Sequence, residues 1–166
     1  MIFQKLLSKF QLTSKPGQVY VASSLLNADA AKITMNNFRN LGFEITYDWT
    51  IHGRISPDQK ELAAQVCAAE IAGVRGCDLF FMQFPARTGS HVELGIAFFT
   101  NVPIVIYWDG DDVPDKTFYA HPNIEMHHDY NQALSSAVAK LNRRVVSSKP
   151  IFERLKTWLQ DIFHTN

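Results

Sequence analysis

Apolar positions along the chain fall into two alternating kinds of stretch. Short, nearly continuous apolar runs at 18–24, 78–84 and 103–107 predict strands buried on both faces, the signature of a parallel sheet. Residues 43–49 alternate more strictly, which predicts a strand at or near a sheet edge, and 124–128 can form a fifth. Between these runs the apolar period lengthens to that of a helix. Ala30, Ile33, Phe38 and Leu41 share a face over 28–41, with Asn27 placed to cap that helix and Gly42 to stop it. Ser56-Pro57-Asp58-Gln59 has the makings of a capping box and opens a helix carrying Leu62, Val66, Cys67, Ile71 and Val74, which ends at Gly76. Ser90 can cap a short helix that contains Val92, Glu93, Gly95, Ile96 and Ala97. Asp129 caps a helix with Ala133, Leu134, Ala137 and Leu141 in phase.

Strands alternating with helices predict a single doubly wound α/β domain over a core of 18–142. We read its five parallel strands in the order 2-1-3-4-5. Apolar stripes at both ends predict added helices. Ile2, Phe3, Leu6, Leu7 and Phe10 lie on one over 1–13, and Phe152, Leu155, Leu159 and Ile162 on the other over 150–164. Residues 109–115 form an acidic loop that runs on to Pro122 without a clear period.

Composition narrows the possibilities. The 166 residues are 46% hydrophobic and 19% charged, with zero formal net charge. That suits a globular protein and argues against a general nucleic-acid binder. No apolar run reaches the ~18 residues of a membrane span, and Lys5 and Lys9 break the N-terminal segment, so neither a membrane nor a secretory leader is expected. Cys67 and Cys77 both sit in apolar context, and two buried thiols suit a cytoplasmic location. No cofactor or metal is expected. The Rossmann glycine fingerprint and the phosphate loop of nucleotide hydrolases are both missing, and His127 and His128 would point to opposite faces of a strand.

The stretch 78–106 carries the candidate chemistry. Glu93 lies at the start of a helix that follows a buried strand, at the sheet edge where open α/β folds bind ligands. By itself it could be no more than a carboxylate favoured by the helix dipole. Thr88-Gly89-Ser90-His91-Val92-Glu93-Leu94-Gly95-Ile96-Ala97 resembles the nucleophile motif of the nucleoside 2-deoxyribosyltransferases, a family that includes deoxynucleoside monophosphate N-glycosidases. Tyr20-Val21-Ala22-Ser23-Ser24 is similar to that family's first strand, and Gly76-Cys77-Asp78 to the start of its third. The resemblance covers about residues 18–135.

The resemblance implies cleavage of the N-glycosidic bond of a (deoxy)nucleoside or its 5′-monophosphate. The sugar would pass through a glutamyl intermediate to another base or to water. It makes Glu93 the nucleophile, Asp78 the acid that protonates the leaving base, and Tyr20 the residue that orients Glu93. Asp78 could equally be a plain strand-start residue, and Tyr20 a core tyrosine. Ser23 falls in the first motif and joins the candidate substrate contacts. Asp48 and Trp49 could hydrogen-bond and stack on a base, or Trp49 could be a half-buried edge residue. An acid that many nucleoside-specific members carry before the motif is replaced by Ala86-Arg87-Thr88. Arg87, Gly89 and Ser90 therefore suit an anion such as a 5′-phosphate, unless Arg87 merely pairs with a surface acid. Family members complete their sites with a neighbouring subunit, so a homo-oligomer is expected. The rival from another class is a non-catalytic nucleotide-binding or sensing module on the same fold.

Overall fold

The computed structural model describes residues 16–110 and 116–147; the helices expected over 1–13 and 150–164 lie outside the described residues. Five strands form one sheet: β1 (Gln18–Ala22), β2 (Glu44–Ile45), β3 (Leu79–Gln83), β4 (Ile104–Tyr107) and β5 (Ile124–His127). Every pairing is parallel, as the alternation of strand and helix predicts, and the order is the expected β2-β1-β3-β4-β5. The connections are α1 (Ala28–Asn40), α2 (Lys60–Gly76), α3 (Thr88–Phe99), the short α4 (Lys116–Tyr119) and α5 (Tyr130–Ser147).

The period-two alternation of a strand sends neighbouring side chains to opposite layers. Tyr20 and Phe80 are register partners on one face, where their rings stack at 5.9 Å. Phe81 points the other way and meets Phe38 of α1 edge to face at 5.4 Å. Every residue of β3 is buried, because strands flank it on both sides and helices cover both faces. Burying a side chain such as Phe81 stabilises the fold by about 2–3 kcal/mol. α1 and α5 share one layer, tied by hydrogen bonds from Asn37 to the Tyr130 hydroxyl and from that hydroxyl to Thr34. α2 and α3 pack together on the other.

Several local expectations change. β2 is an edge strand but spans only two residues, and Trp49 opens a 3-10 turn (Trp49–Ile51) instead of ending a strand. Trp49 is buried rather than half-buried, because its indole N–H donates to the Val21 carbonyl at 2.7 Å. Asn27 precedes α1 without capping it through its side chain. Its amide instead donates to Ser23 Oγ and to the Phe84 carbonyl. The Ser56 box is half made: Gln59 Oε1 accepts from the Ser56 backbone N–H, but the Ser56 hydroxyl turns to the Asp58 carboxylate, and α2 begins only at Lys60. Asp129 does cap α5, accepting from Gln132 N–H at 2.8 Å. Cys77 is buried, but Cys67 is exposed, so the chain does not hold two buried thiols.

Candidate active site

The strand order reverses between β1 and β3, so the loops after these two strands diverge to opposite faces and leave a crevice at the carboxyl edge. Local polar groups stitch the crevice walls together. Ser23 Oγ donates to the Gln83 carbonyl at 2.8 Å, and Ser24 N–H to the Pro85 carbonyl at 3.1 Å. Ser90 Oγ donates to the Ser23 carbonyl at 2.7 Å. Ser90 therefore does not cap α3. The helix starts two residues earlier, at Thr88, and its third residue uses its hydroxyl to clamp α3 to the β1–α1 loop.

This shift puts Glu93 in the second turn of α3 rather than the first. The nearest source of order for its carboxylate is Tyr20, whose hydroxyl donates to Glu93 Oε1 at 2.6 Å. Tyr20 is fully buried, and burial, followed by the nearby Glu93 charge, drives its own pKa well above the phenolic range. It is therefore a neutral, fixed donor. Burial pushes the Glu93 carboxyl up to about 7, the Tyr20 hydrogen bond pulls it down, and the charge of Glu70 pushes it up again. The acid expected to be ionised outright is thus poised near neutrality.

A cavity of about 260 Å³ opens over Glu93. Ser23, Trp49, Gly89 and Ser90 line it, as does Glu70 from α2. Glu70 is half-buried; burial raises its pKa, and His52 partly offsets the rise. The sequence reading passed over Glu70, although a signal exists. Val66, Glu70, Gly73 and Val74 recur at helical spacing, so a carboxylate interrupts the buried stripe of α2. Gly73 on the same stripe lets α2 approach the sheet. A Cβ there would stand 2.9 Å from Tyr47 Cβ and 3.1 Å from the Tyr20 ring.

Four expected site residues do not line the cavity: Tyr20, which touches it only through Glu93, and three that lie elsewhere. Asp78 precedes β3 at the amino edge of the sheet, where its carboxylate accepts from Gln18 N–H at 2.9 Å. Tyr20, which holds Glu93, pairs with Phe80, two residues beyond Asp78, so about 7 Å along the strand and the depth of a tyrosine side chain separate the two carboxyl groups. Asp48 caps the Trp49 turn and pairs with Arg39 at 2.7 Å. Burial pushes its pKa up, but the bonds from Thr50 and Arg39 outweigh that and hold it below the usual range. Arg87 is exposed, outside the cavity lining, and its carbonyl accepts from the His91 ring at 2.8 Å. Arg54, on the loop after the Trp49 turn, lines the cavity instead. Among the described residues no group of three or more His, Cys, Asp or Glu side chains could hold a metal ion. No helix there is long and apolar enough to cross a membrane.

No protein-family profile and no curated protein matches the chain. Solved structures do share its fold. The Clostridium botulinum CMP N-glycosidase BcmB is 14% identical over 72% of this chain and 96% of its own, with a TM-score of 0.51. A 2-deoxyribosyltransferase from Bacillus psychrosaccharolyticus is 16% identical over 70% and 89%, with a TM-score of 0.56. BlsM is 17% identical over 84% and 98%, with a TM-score of 0.54.

Proposed function

We propose that the chain is an enzyme of the nucleoside 2-deoxyribosyltransferase family that cleaves the N-glycosidic bond of a (deoxy)nucleoside or its 5′-monophosphate. The observation that carries this reading is the Tyr20–Glu93 hydrogen bond of 2.6 Å at the wall of a cavity that also holds a second carboxyl group, Glu70. A CMP N-glycosidase and a 2-deoxyribosyltransferase on the same fold support it.

Tyr20 holds Oε1 of Glu93 and leaves Oε2 to attack C1′ of the sugar. The C1′–N bond breaks as the C1′–O bond forms, and its electron pair goes to the base nitrogen. A proton must reach the leaving base, and we assign its delivery to Glu70, the other carboxyl group that lines the cavity, in the fraction of molecules that hold Glu70 protonated and Glu93 ionised. Asp78, at the opposite edge of the sheet, takes no part. Water or a second base then attacks C1′ and frees Glu93. We further propose that the protein acts as a homo-oligomer, which static light scattering would test through a mass above that of one chain.

The test is to incubate the protein with deoxynucleosides, ribonucleosides and their 5′-monophosphates and to look for free base by chromatography. Wild type should release base and Glu93→Ala should not. Mass spectrometry of a rapidly quenched reaction should show one sugar, or sugar phosphate, bonded to wild type. Release of base by Glu93→Ala at the wild-type rate would remove the assignment.

A further inference from the structure

We propose that Arg54 is the residue that recognises a phosphoryl group on the substrate, which makes the 5′-monophosphate rather than the nucleoside the preferred ligand. This rests on the reading of the cavity as a nucleoside or nucleotide site. Arg54 lines the cavity on the loop between β2 and α2, whereas Arg87 does not line it.

The loop that presents Arg54 is held at defined points. Trp49 anchors its start, with the indole N–H on the Val21 carbonyl at 2.7 Å. The Tyr47 hydroxyl and His52 Nε2 are 2.6 Å apart, and their rings stack at 5.9 Å. Gly53 has φ +61, a left-handed conformation that costs a glycine little. Arg54 follows directly after that reversal.

The charges on the page suit an anion that comes with the ligand. Arg39, a structural arginine, is bonded to Asn36 and Asp48. Arg54 has no ion-pair or hydrogen-bond partner among the described residues, although two carboxyl groups line the same cavity. The guanidinium thus lines the same cavity as both acids without an ion pair to either. A planar fork of N–H donors in that place matches two oxygens of a phosphoryl group. A bare nucleoside offers only one neutral hydroxyl there, and a phosphate beside Glu93 itself would be repelled.

The experiment measures calorimetric affinity and kcat/KM for one nucleoside, its 5′-monophosphate and inorganic phosphate. Wild type, Arg54→Ala, Arg54→Lys and Arg87→Ala are compared, with circular dichroism to check folding. Wild type should favour the monophosphate, and inorganic phosphate should compete with it. A charge-assisted bond to phosphate implies that Arg54→Ala lowers the monophosphate-to-nucleoside ratio by about 10- to 100-fold. Arg54→Lys should restore part of the ratio, and Arg87→Ala should leave it within about twofold of wild type. A wild-type preference for the nucleoside would overturn the proposal. So would equal losses on both ligands in Arg54→Ala, the pattern of a base contact, or a collapse of the ratio in Arg87→Ala. If wild type binds these ligands but releases no base, the enzyme reading fails, while the affinity ratios still decide the role of Arg54.

Discussion

Burial withholds from Glu93 the charge that a nucleophile needs at neutral pH. Its pKa stands at about 7 against an ordinary 4.5, so the carboxylate of the proposed nucleophile is only partly populated there. The pH–rate profile should be a bell, its rising limb set by the ionisation of Glu93 and its falling limb by loss of the proton that Glu70 donates. Tyr20→Phe removes the bond that favours the charged form, so the midpoint of the rising limb should move upward and the rate at pH 7 should fall by about tenfold. A pH–rate profile of both proteins checks this. The same shift has a consequence for stability. The folded state holds its Glu93 proton in a window where the unfolded state has released it, so stability falls as pH rises from about 4.5 to about 7. Glu93→Gln keeps an acceptor for Tyr20 and removes the buried charge. It should be more stable than wild type at pH 8, by on the order of 3 kcal/mol, with the gain vanishing near pH 4. Urea unfolding at the two pH values measures it.

At the scale of elements, the site depends on how closely α2 lies against the sheet. Gly73→Ala puts a methyl group 2.9 Å from Tyr47 Cβ, and that atom has no rotamer by which to move away. The substitution should destabilise the fold by about 1–3 kcal/mol and lower kcat, since the same helix carries Glu70. Gly76→Ala in the same helix meets nothing within 4 Å and should be neutral or stabilising by up to about 1 kcal/mol. Denaturant midpoints of the pair test the packing account. Ser90→Ala should also lower activity, because the Ser90–Ser23 bond of 2.7 Å joins the helix of Glu93 to the loop after β1. Kinetics with an unchanged melting temperature would place that effect on the site rather than the fold.

At the scale of the whole molecule, the parallel sheet and its two helix layers place the candidate chemistry where the strand order reverses. Tyr20 from β1 and Glu93 from α3, 73 residues apart in sequence, meet only because β1 and β3 are neighbours. The layer of α2 and α3 leaves Val92 and Phe99 exposed, the latter 91%. If the proposed oligomer buries this layer, Phe99→Glu should lower the mass seen by light scattering, with the helical content unchanged.

The sequence alone determined the layer architecture and the parallel sense of the sheet. Strand and helix periods differ, and a chain that alternates them has few ways to bury both. It also marked Glu93 and Tyr20, because their motif spacings are local. Tertiary structure decided which other residues join them. Asp78 sits next to the right strand but at its wrong end: it precedes β3, and in a parallel sheet that is the amino edge, so residue order already argued against it. Ser90, Asn27 and Asp48 carry the side chains of caps or ligands, yet Ser90 and Asn27 bond across the β1–β3 loops and Asp48 pairs with Arg39. Glu70 and Arg54 lie outside the motif, and only the folding of α2 and the β2–α2 loop over the carboxyl edge brings them to the cavity. Contacts between segments far apart in the chain depend on register and helix approach, and a single sequence carries no direct trace of either.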